Sequence, residues 1–262
     1  MKMADSSEPR HSNEPVGLAS SESATSAPGG LKDRIFRFKR AWIAVRALIA
    51  NPDDTEQVFR VVTAMRGKSL ERGFERFRTS STGERILCEG IDLLDTLRDR
   101  KRLALLEADS LAAVYLKFVQ SEQLSADGLV EASYEATENI QNPHLLRYTH
   151  RIRDMHDLWH ALTQYGREPL GEACLLAFTY AQMRNPGAAF IVIVGARRLA
   201  KGYGRGTIRA LWRAYRAGSR ASWLPAQPFE EMLQLNAQDV RSMLTIPNPD
   251  AYWTILERHG LR

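Results

Sequence analysis

Residues 153–175 read RDMHDLWHALTQYGREPLGEACL, and this stretch decides how the chain folds and what it is able to bind. His156 and His160 are four residues apart, Asp157 follows the first histidine, and Glu172 comes twelve residues after the second. A helix turns about 100° per residue, so side chains four residues apart lie on one face. The spacing therefore predicts a helix that points both imidazoles in the same direction.

This predicted helix is amphipathic, and we expect it to run without interruption over residues 144–166. Arg153 and Asp157 fall on the same side as the histidines. The opposite side is apolar and carries Tyr148, Ile152, Met155, Trp159 and Leu162. The turn GREPLG that follows is short enough to send the next helix back antiparallel, with Glu172 facing the two imidazoles.

On the residues alone, two interpretations of the polar face stay open. Two imidazoles and one or two carboxylates suit zinc, iron(II) or manganese, and histidines four apart share a zinc ion in metalloproteases. An amphipathic helix also needs a polar face in any case, where Asp157 would pair with Arg153 for only about 0.2–0.5 kcal/mol. Glu172 would likewise suit a helix N-terminus because of the helix dipole.

The rest of the chain predicts an all-α protein, a single multi-helix domain with a disordered N-terminal tail. Residues 1–30 carry almost no large apolar side chains, so they cannot bury enough surface to offset the entropy of ordering. We therefore predict a disordered extension over residues 1–30 and a helical domain over residues 31–262. Apolar spacing and helix-ending residues predict helices at 31–50, 53–67, 86–101, 109–124, 125–140, 144–166 and 170–184.

The bulk composition is that of a soluble globular protein, with 44% hydrophobic and 26% charged residues. Two cysteines, Cys88 and Cys174, cannot build a disulfide framework or a cysteine-rich zinc site. The longest apolar run, residues 186–196, is shorter than the roughly 20 residues that cross a bilayer. So few cysteines favour a reducing cytoplasm. The N-terminus lacks the apolar core of a secretory signal and is acidic for a transit peptide.

Residues 173–229 contain no Asp or Glu and nine Arg or Lys residues, with aromatic side chains between them. A basic helix that bears aromatic residues is attracted to an anionic membrane surface, and Arg209, Arg213 and Arg216 have the spacing for it. A solvated arginine-rich surface is the simpler alternative. The segment has no recognisable nucleic-acid-binding motif, so we predict no nucleic-acid partner.

The motif HDLWH, eleven intervening residues and Glu172 resemble the HDxxH-x11-E signature of the coenzyme Q biosynthesis protein 4 family. The lead-in YTHRIRDM and the segment IRALWRAYRAGSRASWLPAQPFEEMLQLNAQDVRSMLTI are also similar to that family. The likeness covers residues 51–247. The chain departs from the family pattern in its N-terminal extension and in a looser match after Glu172, which leaves open a paralogue with a different prenylated substrate.

The resemblance implies an all-helical protein that binds zinc, or alternatively iron or manganese, through His156, Asp157, His160 and Glu172. It also implies a role in ubiquinone biosynthesis on a polyprenylated benzoic acid. One version is a metal-dependent decarboxylase, a lyase that removes the ring C1 carboxyl and installs oxygen there. The other is a non-catalytic lipid-binding scaffold. In a catalyst, Asp157 or Glu172 would accept a proton and Arg153 would bind the substrate carboxylate.

The partners expected from this interpretation are a polyprenylated benzoic acid or another isoprenoid lipid, an anionic membrane surface and other ubiquinone-biosynthesis proteins. A homodimer stays open. The expected location is cytoplasmic, with the protein peripheral on the inner face of a bacterial membrane.

Overall fold

The structure, a computed structural model, describes residues 42–44, 55–122, 137 and 140–262. Within these residues the chain forms helices and no strand, apart from an isolated β-bridge between Ser110 and Asn236. The prediction of an all-α protein is confirmed. The predicted disordered tail over residues 1–30 lies outside the described residues, as do most of the helices predicted at 31–50 and 125–140.

The described helices follow one another in the chain as α1 (Thr55–Met65), α2 (Ser69–Arg78), α3 (Ser81–Glu89), α4 (Leu93–Arg98), α5 (Arg100–Leu103), α6 (Leu111–Ser121), α7 (Pro143–Asp154), α8 (His156–Thr163), α9 (Pro169–Met183), α10 (Pro186–Tyr203), α11 (Thr207–Arg220), a 3₁₀ turn (Leu224–Ala226), α12 (Phe229–Met232), α13 (Ala237–Met243) and α14 (Asp250–Arg258). None of these helices is long and apolar enough to span a bilayer.

The prediction of a single helix over residues 86–101 is wrong, because one helix ends before Gly90 and another begins after it. Gly90 adopts a left-handed conformation, with φ of 70°, and ends α3. A glycine reaches this conformation without the steric cost that a Cβ would add. The next helix starts again at Leu93, capped by Asp92, whose side chain accepts a hydrogen bond of 2.9 Å from the Leu94 amide.

The prediction of one uninterrupted helix over residues 144–166 is also wrong, because this segment forms two helices that meet at Met155. The ψ angle of Met155 is −11°, far from the value of about −42° that continues an α-helix. The second helix stops at Thr163, before the predicted end at Gly166. Gln164 takes a left-handed conformation there, with φ of 60°, and its amide donates to the His160 carbonyl.

Helix α9 is the centre of the core, since it packs against both α10 and α11. It is apolar on nearly every side, and its buried residues include Cys174 and Phe178. Helix α11 approaches it closely at Gly218, where an added Cβ would lie 2.5 Å from the Phe178 carbonyl oxygen. The absence of a side chain at this position allows the two helices to pack at short range.

A buried ion pair connects α7 to the C-terminal part of the chain. The Arg151 guanidinium lies 2.5 Å from the Glu230 carboxylate and also donates to the Gln227 carbonyl at 2.7 Å. Both charged side chains are largely removed from solvent. Because α8 directly follows α7, this contact helps to fix the helix that carries the two histidines.

Candidate metal centre

The two histidines are held by a helix that is almost entirely buried. Helix α8 packs against α6, and the face that the sequence predicted to be polar is covered by other parts of the chain. The His160 side chain is fully buried, whereas the His156 side chain is 36% exposed. The site is therefore a recess with His160 at its inner end and His156 at its opening.

The turn between α8 and α9 brings Glu172 back to the histidines. Glu168 caps α9, because its carboxylate accepts a hydrogen bond of 2.8 Å from the Gly171 amide, and Pro169 follows at the first helical position. A Cβ at Gly171 would lie 2.2 Å from the Gly166 carbonyl oxygen, so the turn closes tightly only with glycine there. The return of Glu172 to the two histidines, predicted from the short GREPLG segment, is observed.

His156, His160 and Glu172 form a cluster whose ligand atoms all lie within 4.8 Å of one another. The Glu172 Oε1 atom is 3.5 Å from His160 Nε2, and its Oε2 atom is 4.0 Å from His156 Nε2. Two imidazole nitrogens and one carboxylate are a donor set that catalytic zinc sites use, with further positions left for water or substrate.

The hydrogen bonds of His160 aim one ring nitrogen into the cluster. Its Nδ1 lies 2.9 Å from the Tyr165 carbonyl oxygen, which can only accept, so the proton of the neutral ring is on Nδ1. The Nε2 atom is buried and makes no hydrogen bond with any residue that the structure describes. A buried nitrogen lone pair without a partner is energetically unfavourable, and a metal ion would satisfy it.

Asp157 stands behind His156 and is not one of the clustered ligands. Its Oδ1 atom is 3.2 Å from His156 Nδ1, on the side of the ring away from Glu172. A carboxylate on the second ring nitrogen is the usual way in which a protein orients a metal-binding histidine. The structure therefore favours Asp157 as the residue that positions His156.

The charges of the cluster shift two pKa values in opposite directions. Burial raises the pKa of the Glu172 carboxyl, but His160, His156 and Arg167 together lower it, and the net shift is downward. Burial lowers the pKa of His156, but the hydrogen bond with Asp157 and the charge of Glu172 raise it, and the net shift is upward. In the metal-free protein, the carboxylates of Asp157 and Glu172 therefore favour a protonated His156.

Arg153, which the sequence placed on the same face as the histidines, is engaged elsewhere. Its Nε and Nη2 atoms donate to the two carboxylate oxygens of Asp154, at 2.6 and 3.1 Å, and both residues are buried. The alternative prediction, an ion pair of Arg153 with Asp157, is wrong, because Arg153 pairs with Asp154. The break at Met155 separates Arg153 from α8. The predicted pair with Asp157 and the predicted position of Arg153 beside the histidines both assumed one continuous helix, so neither follows from the spacing.

Three further residues complete the site, and sequence reasoning missed them. The Phe118 ring stacks on His160, with 5.0 Å between ring centroids, and the Arg167 Nε atom is 3.6 Å from Glu172 Oε1. Tyr252 of α14 accepts a hydrogen bond of 2.8 Å from the Gly166 amide. Only Arg167 had a signal in the sequence, as a charged residue in the turn between the two ligand-bearing helices.

The fold and the cluster define an all-helical protein with two histidines and a glutamate gathered at one helix-turn-helix. A family model described as coenzyme Q (ubiquinone) biosynthesis protein Coq4 matches residues 35–250. The chain belongs to the Coq4 family of ubiquinone biosynthesis proteins, as its resemblance to that family indicated.

Curated relatives from fungi and animals are similar to the chain over part of their length. Ubiquinone biosynthesis protein COQ4, mitochondrial, from Mycosarcoma maydis is 28% identical over 152 residues, which are 58% of this chain and 40% of that protein. The COQ4 homolog of Drosophila ananassae is 28% identical over 68% of this chain and 65% of its own length. The homolog of Drosophila sechellia is 26% identical, over 82% of this chain and 81% of its own.

A solved structure has the same fold. It is a crystal structure from Nostoc punctiforme of a protein provisionally assigned to ubiquinone biosynthesis, with a TM-score of 0.58 and 17% sequence identity. The match covers 80% of this chain and 99% of that one. At this low identity the likeness concerns the fold alone.

The predicted location, on the cytoplasmic side of a bacterial membrane, is contradicted by the comparison with curated relatives. The proteins from Mycosarcoma maydis, Drosophila ananassae and Danio rerio are all named as mitochondrial. The prediction rested on the small number of cysteines, together with an N-terminus that matches neither a secretory signal nor a transit peptide, and none of these features identifies a compartment by itself.

Proposed function

We propose that this chain acts in ubiquinone biosynthesis and binds a divalent metal ion through His156, His160 and Glu172. Zinc is the first candidate, and iron or manganese is the alternative. The observation that carries the proposal is the buried Nε2 atom of His160, which faces Glu172 without a hydrogen-bond partner among the described residues. Membership of the Coq4 family supports the pathway.

The proposed reaction replaces the C1 carboxyl of a polyprenyl-hydroxybenzoate by a hydroxyl group. The carboxyl leaves as carbon dioxide, one atom of molecular oxygen stays on the ring, and the other becomes water. The balance requires two electrons and two protons, so a two-electron donor is a required co-substrate. A bound metal ion would supply positive charge beside the ring, where negative charge develops as the carboxyl leaves.

The side chains of the site divide the remaining work. His160 and His156 present neutral nitrogens to the ion, and Asp157 holds the proton of His156 on Nδ1. Phe118 covers the inner imidazole and keeps water from that side. Arg153 has no part in the proposed site, because Asp154 already occupies its guanidinium.

Helix α11 supports docking at an anionic membrane surface, where a substrate with an isoprenoid tail would reside. Ile208 and Trp212 are 57% and 56% exposed, which is unusual for large apolar side chains. Arg209, Arg213 and Arg216 are exposed on the same helix, and the sequence around them carries no acidic residue. Exposed apolar groups beside cations are the combination that binds lipid headgroups and the acyl boundary.

The test of the metal centre is elemental analysis of the purified protein and of its Glu172→Ala variant. We expect close to one equivalent of metal in the wild type and a large loss in the variant. Glu257→Ala is the matched control, because Glu257 is an exposed glutamate paired only with Arg262 among its described ion pairs. A wild-type protein that retains no metal after reconstitution would overturn the proposal.

The test of catalysis is the release of carbon dioxide from a short-chain prenyl-hydroxybenzoate, with oxygen and a reductant present. His160→Ala should abolish release and leave lipid binding intact. If the metal-loaded wild type releases no carbon dioxide while it binds the prenylated acid, the non-catalytic scaffold is the correct alternative.

A further inference from the structure

Arg167 carries a positive charge at the opening of the metal centre, although no ligand motif includes it. It lies in the turn between α8 and α9, and its side chain is 32% exposed. Its Nε atom is 3.6 Å from Glu172 Oε1, the same oxygen that lies 3.5 Å from His160 Nε2. One carboxylate oxygen is thus shared between a guanidinium and the position of a metal ion.

A metal ion and Arg167 would compete for this oxygen. When Glu172 binds a cation, its negative charge is drawn to that ion, and a guanidinium beside it then lies next to a positive centre. With neutral imidazoles, a divalent ion, Glu172, Asp157 and Arg167 sum to one positive charge. A partly exposed guanidinium in that position favours an anion, which it can bind through two parallel hydrogen bonds.

We propose that Arg167 is a substrate-binding residue that pairs with Glu172 in the metal-free protein and binds the anionic group of the substrate once metal is present. The anionic group is a carboxylate or a phosphate monoester, since a guanidinium recognises both through the same geometry. The proposal rests on the metal centre proposed above and assigns to Arg167 the anion-binding role that Arg153 cannot perform.

The experiment compares wild type with Arg167→Gln, which removes the charge, and Arg167→Lys, which keeps the charge but not the planar fork. Arg198→Gln is the matched control, because Arg198 is an exposed arginine on α10. The first measurement is the affinity of the metal-free protein for Zn²⁺, in competition with a chromophoric chelator. The second is the binding of 4-hydroxybenzoate, and separately of inorganic phosphate, to the zinc-loaded protein.

We expect Arg167→Gln to bind Zn²⁺ about two- to fivefold more tightly, because a partly exposed ion pair that competes for Glu172 is lost. The zinc-loaded variant should bind its anion about tenfold more weakly or worse, and Arg167→Lys should fall between the two. A loss confined to 4-hydroxybenzoate supports a carboxylate substrate, and a loss confined to phosphate supports a phosphorylated one.

Two results would overturn the role of Arg167, and they are distinguishable. If wild type binds Zn²⁺ but Arg167→Gln matches it in both measurements, the residue is a surface arginine and the metal centre stands. If wild type binds no Zn²⁺, the metal centre itself fails and the role of Arg167 fails with it.

Discussion

His160 shows how the surroundings of one side chain can leave a single ring nitrogen available to a ligand. Its Nδ1 proton is used by the Tyr165 carbonyl, its ring is covered by Phe118, and its remaining nitrogen faces Glu172. A buried polar atom without a partner costs about 1–3 kcal/mol of stability. A metal ion on this nitrogen would offset that cost, which is consistent with the proposed ligand role of His160.

Asp157→Asn is expected to weaken zinc binding about 10–100-fold, as changes behind metal-binding histidines commonly do. It should also move the pH dependence. The pKa of His156 is raised by Asp157 and Glu172 against the effect of burial, and a protonated imidazole cannot bind metal. Zinc affinity of the wild type should therefore rise with pH through that pKa. In the variant the pKa falls, so the rise should occur at lower pH.

Zinc affinity measured at a series of pH values checks this prediction. Asp95→Asn is the control, because Asp95 is exposed and its ion pair with Arg98 is a long contact of 3.9 Å. Superimposable pH profiles for wild type and Asp157→Asn would show that Asp157 does not act through His156.

The spacing of the ligands could be predicted from the sequence, because residues four apart on a helix share a face. The pairing of Arg153 with Asp154 could not, since adjacent helical residues point in different directions. The contact of Arg167 with Glu172 could not be predicted from the sequence either. Arg167 lies in a turn, where no periodicity fixes the direction of a side chain.

Between elements, the contact of α9 with α11 depends on Gly218. Gly218→Ala should destabilise the protein by about 1–3 kcal/mol, the usual cost of overpacking, because the new methyl group would press on the Phe178 carbonyl. Gly195→Ala on α10 is the control. A Cβ there meets nothing within 4 Å, and the change should stabilise the helix by about 0.5–1 kcal/mol.

Urea denaturation of both variants measures these differences in the free energy of unfolding. Equal stability of the Gly218 and Gly195 variants would mean that α9 and α11 can separate slightly at little cost.

Helix α11 also carries the prediction about membranes. Changing Arg209, Arg213 and Arg216 together to Gln should weaken binding to vesicles that contain phosphatidylserine by about 1 kcal/mol per arginine. Co-sedimentation with vesicles measures the effect, and neutral phosphatidylcholine vesicles should show little difference.

A control with the same loss of charge replaces Arg72, Lys101 and Arg102, which are exposed on α2 and α5. If this control loses as much vesicle binding as the α11 variant, the net charge of the protein determines vesicle binding, and the position of the arginines on α11 does not.

Helix boundaries were less predictable than the helices themselves. Apolar spacing identifies α6 and α9, but it passes through Gly90 and Met155 without a signal. Gly90 ends a helix in a left-handed conformation, and the apolar spacing on either side of it does not indicate this. At Met155 the residue type is a good helix former, so only the tertiary structure explains the break.

At the scale of the whole molecule, the ion pair of Arg151 with Glu230 connects distant parts of the chain. Arg151→Met should cost about 3–5 kcal/mol of stability, because it leaves the Glu230 carboxylate buried without its partner. Adding Glu230→Met should recover much of this loss, since the unpaired charge is then removed. Thermal and urea denaturation of the single and double variants measure the coupling.

Arg78→Met is the matched control, because the pair of Arg78 with Glu75 is exposed, where water screens the attraction and the loss of one partner has little effect on stability. A loss in Arg151→Met no larger than in this control would contradict the prediction.

The hydrogen bond from the Gly166 amide to the Tyr252 hydroxyl has a consequence for engineering. The turn that presents Glu172 is braced by a helix some eighty residues further along the chain, as the separation of 86 residues in this contact indicates. Residues 153–175 grafted onto another scaffold would bring both imidazoles and the carboxylate but leave that brace behind. The proposed capture of an ion would thus depend on the assembled domain, and we expect the short peptide alone to bind metal more weakly than the whole protein.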